Sequence, residues 1–187
     1  MFERADALVV VVADGAGGMR GGAAASKALV DVARSVAANA TLDAHEADLW
    51  VALMKEADGM LAAKMVGETT GVIVVLAPRG LVGVSVGDSE AWVVGAQSID
   101  DLTKGQERPR LGSGRAAPVA FQRPRLGGTL IVATDGLFRY ASPARIGATV
   151  REGAVASAAI RLTSLVRLPS GRFHDDVGVA VVASALQ

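Results

Sequence analysis

The 187-residue chain has no cysteine, two histidines and only 4% aromatic residues. Without cysteine it has neither disulfides nor thiolate metal ligands, and histidine is too scarce for a typical zinc site. Lysine plus arginine and aspartate plus glutamate number 19 each, so the basic excess that usually accompanies nucleic-acid binding is missing. Since cysteine-free chains suit a reducing compartment, we expect a cytoplasmic protein without a nucleic-acid partner.

Long apolar runs are also missing. No stretch reaches the roughly 18 apolar residues that a membrane-spanning helix needs. A signal peptide is not indicated, because Glu3 and Asp6 lie where basic residues would precede its apolar region. The chain is nevertheless 51% hydrophobic, which predicts buried strands of Val, Ala, Leu and Ile. We therefore expect one globular domain over residues 1–187, without membrane association.

The order of apolar patterns predicts the fold class. Strands are predicted at Ala7–Ala13, Thr70–Leu76, Leu81–Val86, Ala91–Val94, Val119–Phe121, Thr129–Thr134 and Val177–Ala183. Helices are predicted at Gly22–Asn39, Ala44–Met65, a short stretch from Ser142-Pro143, and Glu152–Val166. The segment Gln97–Ala117 lacks periodicity and is expected to be an exposed connection. Paired helices between groups of strands favour an α+β protein with mainly antiparallel sheets over βαβ alternation.

Four acidic positions each lie at the end of a strand-like run. They are Asp14 after Leu8–Ala13, Asp88 after Gly83–Gly87, Asp135 after Leu130–Thr134, and Asp175 before Val177–Ala183. Carboxylates held at strand ends can converge on one hard cation, for which oxygen ligands suit Mg²⁺ or Mn²⁺. Asp-Gly is also a common turn dipeptide, so a purely structural role stays open for any single position. The four together favour a metal site.

The glycines after Asp14 allow a second interpretation. Gly15, Gly17 and Gly18 precede a predicted helix, as in loops that cradle phosphate. The chain has no Gly-Lys-Ser/Thr, however, and Arg20 occupies the place of the last glycine in a dinucleotide motif. Asp14 would also repel a phosphate unless a cation lay between them. A nucleotide loop is therefore the weaker interpretation.

Five segments resemble, in order, the motifs of the PPM/PP2C-type metal-dependent serine/threonine protein phosphatases, in particular their compact bacterial type. Val11–Gly18 resembles ADGxGG, Thr69-Thr70 resembles G-(S/T)-T, Val86–Ser89 resembles GDS, Thr134–Leu137 resembles SDGL, and Asp175–Val179 resembles D-(N/D)-x-T-V. Any one of these matches is weak, but the resemblance extends from about Leu8 to Ala183.

The resemblance implies a fold, a reaction and a role for each motif residue. The fold would be a four-layer α-β-β-α sandwich, and the reaction hydrolysis of phosphoserine or phosphothreonine on a protein that an opposing kinase has phosphorylated. Two or three Mg²⁺ or Mn²⁺ ions would activate the water. Asp14 would bridge two ions, with the Gly15 carbonyl as a further ligand, and Asp135 and Asp175 would hold the first ion. Asp88, with Asp135, would hold an accessory third ion.

The chain departs from the family at its N-terminus. The family begins with a strand that carries an acidic metal ligand, often with an upstream phosphate-binding arginine, but only thirteen residues precede Asp14 here. Glu3 and Asp6 are too close to Asp14 to replace that ligand and are expected to be solvated. We therefore expect a short or missing first strand, an unpaired sheet edge at Ala7–Ala13 and a weakened second metal site.

Two consequences of this departure remain open. Arg20 is the best remaining candidate for phosphate contact, although a solvent-facing arginine at a helix start is the alternative. The function itself also has an alternative, since the missing acidic residue would suit a catalytically impaired PPM-like domain that binds a phosphoprotein or a regulatory partner.

Overall fold

The computed structural model describes residues 1–16, 21–106 and 109–183. The strands are β1 (Phe2–Glu3), β2 (Leu8–Val12), β3 (Gly71–Ala77), β4 (Gly80–Val86), β5 (Glu90–Val94), β6 (Ile99–Asp101), β7 (Val119–Arg123), β8 (Thr129–Ala133) and β9 (Val179–Ala183). The helices are α1 (Gly22–Ala38), α2 (Ala47–Ala63), α3 (Asp135–Phe138), α4 (Pro143–Arg151) and α5 (Ala158–Leu165), with a 3₁₀ turn at Val155–Ser157.

The strands form two antiparallel sheets. The first has the order β1-β2-β3-β4-β7 and the second β6-β5-β8-β9. Every pair of neighbouring strands is antiparallel. The β3–β4 hairpin turns at Pro78-Arg79, as the sequence predicts.

The sheets pack face to face, with helices on both outer sides. In β2, Val9 packs into a cluster with α1 and α2, whereas Val10 packs into a second cluster between the sheets. A third cluster joins the outer face of β8 to α4 and α5 through Ile131, Ile146 and Leu162. Strands buried on both faces explain the continuous apolar runs of the sequence. The predicted four-layer α-β-β-α sandwich is thereby confirmed.

Helix boundaries differ from the prediction where local geometry intervenes. Glu152–Val166 is not one helix: α4 ends at Arg151, Gly153 takes a positive φ of 76°, and α5 begins only at Ala158, after the 3₁₀ turn. The second helix starts after Ala44, whose carbonyl accepts a hydrogen bond from Trp50 Nε1 at 2.7 Å. The start of α4 is as expected, since Ser142 Oγ accepts a hydrogen bond from the Arg145 N–H at 3.4 Å.

The expectation that Gln97–Ala117 is only an exposed connection is wrong in part. It contains β6, which pairs with β5, and its Leu111 is fully buried. Leu111 forms two backbone hydrogen bonds of 3.0 Å with Thr69, two residues before β3 begins. The segment lacks periodicity because its inward contacts are made by isolated residues.

The first strand is short but present. Phe2 pairs with Val9 and Glu3 with Leu8, so β1 covers only the beginning of the β2 edge. Arg4 holds this segment on the domain: its guanidinium donates to the carbonyls of Ala37, Asn39 and Leu42 at 2.8–3.0 Å. These contacts tie β1 to the C-terminal end of α1.

We expect Arg4→Met to lower the free energy of unfolding by about 1–3 kcal/mol, because several carbonyls that Arg4 now satisfies lose their donor. The Arg4 side chain is only 7% exposed, so water replaces those bonds poorly. Urea unfolding measures the change. Arg125→Met, at an exposed position, is the control and should change the stability little. Equal effects of the two variants would contradict this role of Arg4.

Within the described ranges, no helix combines the length and the apolar character needed to cross a bilayer.

Candidate metal-binding and active site

Antiparallel pairing brings the acidic motifs to one edge of the sandwich. In the first sheet β2 and β4 both run opposite to β3, so Asp14 and Asp88 follow strands that end at the same edge. In the second sheet β8 ends at Ala133, which pairs with the first residues of both β5 and β9. Asp135 and Asp175 therefore lie at a common edge as well.

All four of these aspartates line one cleft of about 340 Å³. It is lined by Asp14, Gly15, Ala16, Thr70, Asp88, Arg110, Asp135, Arg139, Asp175 and Asp176. The structure thus brings together all the acidic residues, and the glycine, that the sequence nominates as ligands. The remaining nominated residue, Arg20, lies outside the described residues.

Threonines fix the turns that carry Asp14 and Asp88. The Asp14 N–H donates to Thr70 Oγ1 at 3.1 Å, and the Thr70 N–H donates to the Asp14 carbonyl at 2.8 Å. Thr70 Oγ1 also lies 2.6 Å from Ser89 Oγ, next to Asp88. The Thr69 hydroxyl donates to the Asp14 carbonyl at 2.9 Å. The Thr69-Thr70 motif therefore joins the Asp14 turn to the Asp88 turn.

Thr134 does the same in the second sheet. Its hydroxyl donates to the Asp176 carbonyl at 2.9 Å and accepts from the Gly178 N–H at 3.1 Å. Gly136 allows the close approach of these segments, because a Cβ there would lie 2.3 Å from the Asp176 carbonyl oxygen. Asp135 and the Asp175-Asp176 pair are thus held on one rigid unit.

The cleft carries strong negative charge. Burial, followed by repulsion from Asp135 and Asp175, raises the pKa of Asp14 to about 6. Burial and the charge of Asp88 also raise the pKa of Asp135, against the opposing effect of Arg139. Carboxylates whose ionised form is disfavoured in this way are stabilised by a nearby cation.

Two arginines that sequence reasoning missed lie in the same cleft. Arg110 Nη2 donates to Asp88 Oδ2 at 3.3 Å, and Arg139 Nη2 lies 2.9 Å from Asp135 Oδ2. Arg139 follows Asp135 by four residues on a helical turn, which is a spacing that could have identified the pair. Arg110 lies in the segment without periodicity and gave no sequence signal.

The donor set fits a hard divalent cation in chemistry and in charge. It consists of carboxylate oxygens with the Gly15 carbonyl nearby, as Mg²⁺ and Mn²⁺ prefer. However, among residues 1–16, 21–106 and 109–183 no three acidic or histidine side chains lie close enough to form a ready-made ion site. Because Mg²⁺ usually keeps several water ligands beside one or two carboxylates, water would complete the coordination shell of an ion bound here.

A buried carboxylate on α2 fixes the segment that follows the cleft residue Arg110. Asp58 Oδ1 accepts hydrogen bonds from the N–H groups of Gly112 and Gly114 at 2.7 and 2.9 Å, and its Oδ2 accepts from Ala116 at 2.9 Å. These bonds fix the segment that follows Arg110 and Leu111. Asp58 thus anchors the segment next to the cleft arginine.

A larger cavity, of about 510 Å³, lies at the opposite end of β3. It is lined in part by Asp43 and Arg79, which form an ion pair with each other. The acidic motif residues do not line it, so the smaller cleft is the candidate active site.

Comparison with solved structures shows which fold this chain shares with known proteins. A bacterial serine phosphatase with a point substitution is 25% identical, with a TM-score of 0.81 over 94% of this chain and 85% of that chain. Serine/threonine phosphatase Stp1 from Staphylococcus aureus is 24% identical, with a TM-score of 0.80 over 96% and 84%. No protein-family model and no curated protein matches the sequence.

A third similar structure contains metal. The catalytic domain of the serine/threonine protein phosphatase PstP, in complex with two manganese ions, is 20% identical and has a TM-score of 0.77 over 97% of this chain and 88% of that chain. The chain therefore has the fold of the PPM/PP2C-type serine/threonine phosphatases, and the resemblance seen in its motifs is confirmed at that level.

The charge of Asp14 predicts a pH dependence of stability. In the folded state the Asp14 carboxyl has a pKa of about 6, against an ordinary value of 3.8. The folded state therefore binds a proton more tightly than the unfolded state, and the metal-free protein loses stability as the pH rises through that interval. Asp14→Asn removes the repulsion. We expect the melting temperature of this variant, relative to wild type, to rise by about 2–4 °C between pH 4 and 7, since partial exposure screens the effect.

Thermal unfolding in EDTA across that pH range measures this difference. Manganese should then stabilise the wild type at pH 7 and stabilise Asp14→Asn much less. Parallel pH profiles for the two proteins would contradict the repulsion.

The anchoring by Asp58 predicts a stability loss. Asp58→Asn replaces an acceptor oxygen with an N–H group that faces backbone donors, and we expect a loss of about 1–3 kcal/mol in the free energy of unfolding. Glu56→Gln removes the same charge at an exposed position of α2 and should change it little. Urea unfolding of both variants checks this, and an unchanged Asp58→Asn would show that the anchor is dispensable.

Proposed function

We propose that this protein is a metal-dependent phosphatase that hydrolyses phosphoserine or phosphothreonine on proteins. The observation that carries the proposal is the convergence of Asp14, Asp88, Asp135 and Asp175 on one cleft, in the fold of known serine/threonine phosphatases. The partner is then a phosphorylated protein, and an opposing serine/threonine kinase is implied.

The proposed roles follow the chemistry of the residues. Asp14, Asp135 and Asp175 would hold two Mg²⁺ or Mn²⁺ ions, with the Gly15 carbonyl as an additional oxygen ligand. When bound, such ions supply a water of lowered pKa for attack on phosphorus and neutralise the phosphoryl oxygens. No cysteine nucleophile is needed.

The phosphate requires a positively charged contact of its own. Arg20 stays a prediction for this role, as it lies outside the described residues. Among the described residues Arg110 is the candidate, because it lines the cleft and its guanidinium donates a hydrogen bond to Asp88. Guanidinium groups match phosphate oxygens in geometry and keep their charge at every relevant pH.

A second candidate function is a catalytically impaired domain that binds a phosphoprotein or a regulatory partner. The observation that favours it is that Asp88 and Asp135 are paired with arginines, while no ready-made ion site exists in the parts of the chain that the structure describes.

Turnover of p-nitrophenyl phosphate separates the two functions. The phosphatase proposal predicts turnover that depends on manganese and falls at least about 100-fold in Asp135→Ala, because a metal ligand is lost. Asp48→Ala, at an exposed position of α2, is the matched control and should keep full activity.

Each alternative result has a definite meaning. Retained turnover in Asp135→Ala would reject the assigned site. A wild type that is inactive with manganese but binds a phosphoserine peptide would favour the binding domain. Preference for phosphotyrosine peptides over phosphoserine peptides would contradict the substrate class.

A further inference from the structure

We propose that Arg139, together with Arg110, supplies the positive charge at the Asp88–Asp135 corner of the cleft, so that the cleft binds two divalent ions and not three. This inference rests on the proposed function, because it concerns the same cleft. It replaces the accessory ion expected at Asp88 with side chains of the protein itself.

The guanidinium of Arg139 lies between the two carboxylates. Its Nη2 is 2.9 Å from Asp135 Oδ2 and 3.9 Å from Asp88 Oδ2. Arg110 Nη2 approaches Asp88 Oδ2 from another segment, at 3.3 Å. The side chains of Asp88 and Asp135 are only 20% and 13% exposed, so water screens these contacts incompletely. Two positive charges thus balance two negative charges at this corner.

The position of Arg139 is determined by the backbone. Asp135 begins α3, and the Arg139 N–H donates to the Asp135 carbonyl at 2.8 Å, so both side chains emerge on one side of a single turn. An arginine is charged at every relevant pH and cannot be neutralised by deprotonation. The corner therefore has a permanent cation that is covalently part of the chain.

The rest of the cleft has no such compensation within the described residues. The ion pairs found there involve Asp88 and Asp135, and none involves Asp14, Asp175 or Asp176. A divalent ion is attracted to the uncompensated carboxylates and repelled by the two guanidinium groups. Asp135 can serve both sides, because its ion pair with Arg139 is made by Oδ2 and the ion pairs of the described residues do not use Oδ1.

Counting bound manganese tests this inference without measuring activity. Equilibrium dialysis, with free Mn²⁺ measured by electron paramagnetic resonance, should give about two ions per wild-type chain and about three for Arg139→Ala. Arg145→Ala removes the same charge from an exposed position away from the cleft lining and should still bind about two. The Arg139 side chain is 53% exposed, so its removal should leave the fold intact.

A second variant keeps the test decisive. Asp88→Asn should also bind about two ions, because Asp88 is paired with arginine and is not an ion ligand in the wild type. Loss of an ion in Asp88→Asn, three ions in the wild type, or an unchanged count in folded Arg139→Ala would each overturn the inference. A wild type that binds no manganese would contradict the proposed function as well, whereas three ions would contradict this inference alone.

Discussion

The fold holds several carboxylates close together in one cleft, despite their mutual repulsion. Asp14 shows the result, since burial and its acidic neighbours raise its pKa to about 6. Flexible loops would relieve such repulsion by moving apart, but here the acidic residues follow or precede strands whose antiparallel partners fix their ends. The stability of two packed sheets thus maintains a local arrangement that is unfavourable without a cation.

Supporting contacts come from residues that carry no site chemistry themselves. Thr70 and Thr134 each join two turns of the cleft, and Asp58 fixes the segment after Arg110 from the opposite side. The threonines are neutral, and the Asp58 carboxylate accepts hydrogen bonds from three backbone N–H groups without lining the cleft, so these residues add rigidity and no charge to the cleft lining. Arg139 and Arg110 offset part of the negative charge directly. The cleft therefore consists of one compensated corner and one uncompensated region.

Much of this could be predicted from the sequence, because the strands are continuous apolar runs and the acidic residues directly follow them. The antiparallel strands, the β3–β4 hairpin and the gathering of Asp14, Asp88, Asp135 and Asp175 are predicted by this pattern, whereas the two-sheet sandwich is predicted by the family resemblance of the motifs. Arg110, Leu111 and β6 were missed because each depends on isolated contacts within an aperiodic segment. The two-residue strand β1 was underestimated because Arg4, not a longer strand, holds the N-terminal segment in place.

A crystal soaked in Mn²⁺ shows whether these carboxylates form a cation site. Anomalous scattering should show manganese bound to the carboxylates of Asp14, Asp135 and Asp175, at about 2.0–2.2 Å as expected for small divalent ions with oxygen ligands. A crystal without anomalous peaks in this cleft, or with manganese bound only elsewhere on the molecule, would contradict the account.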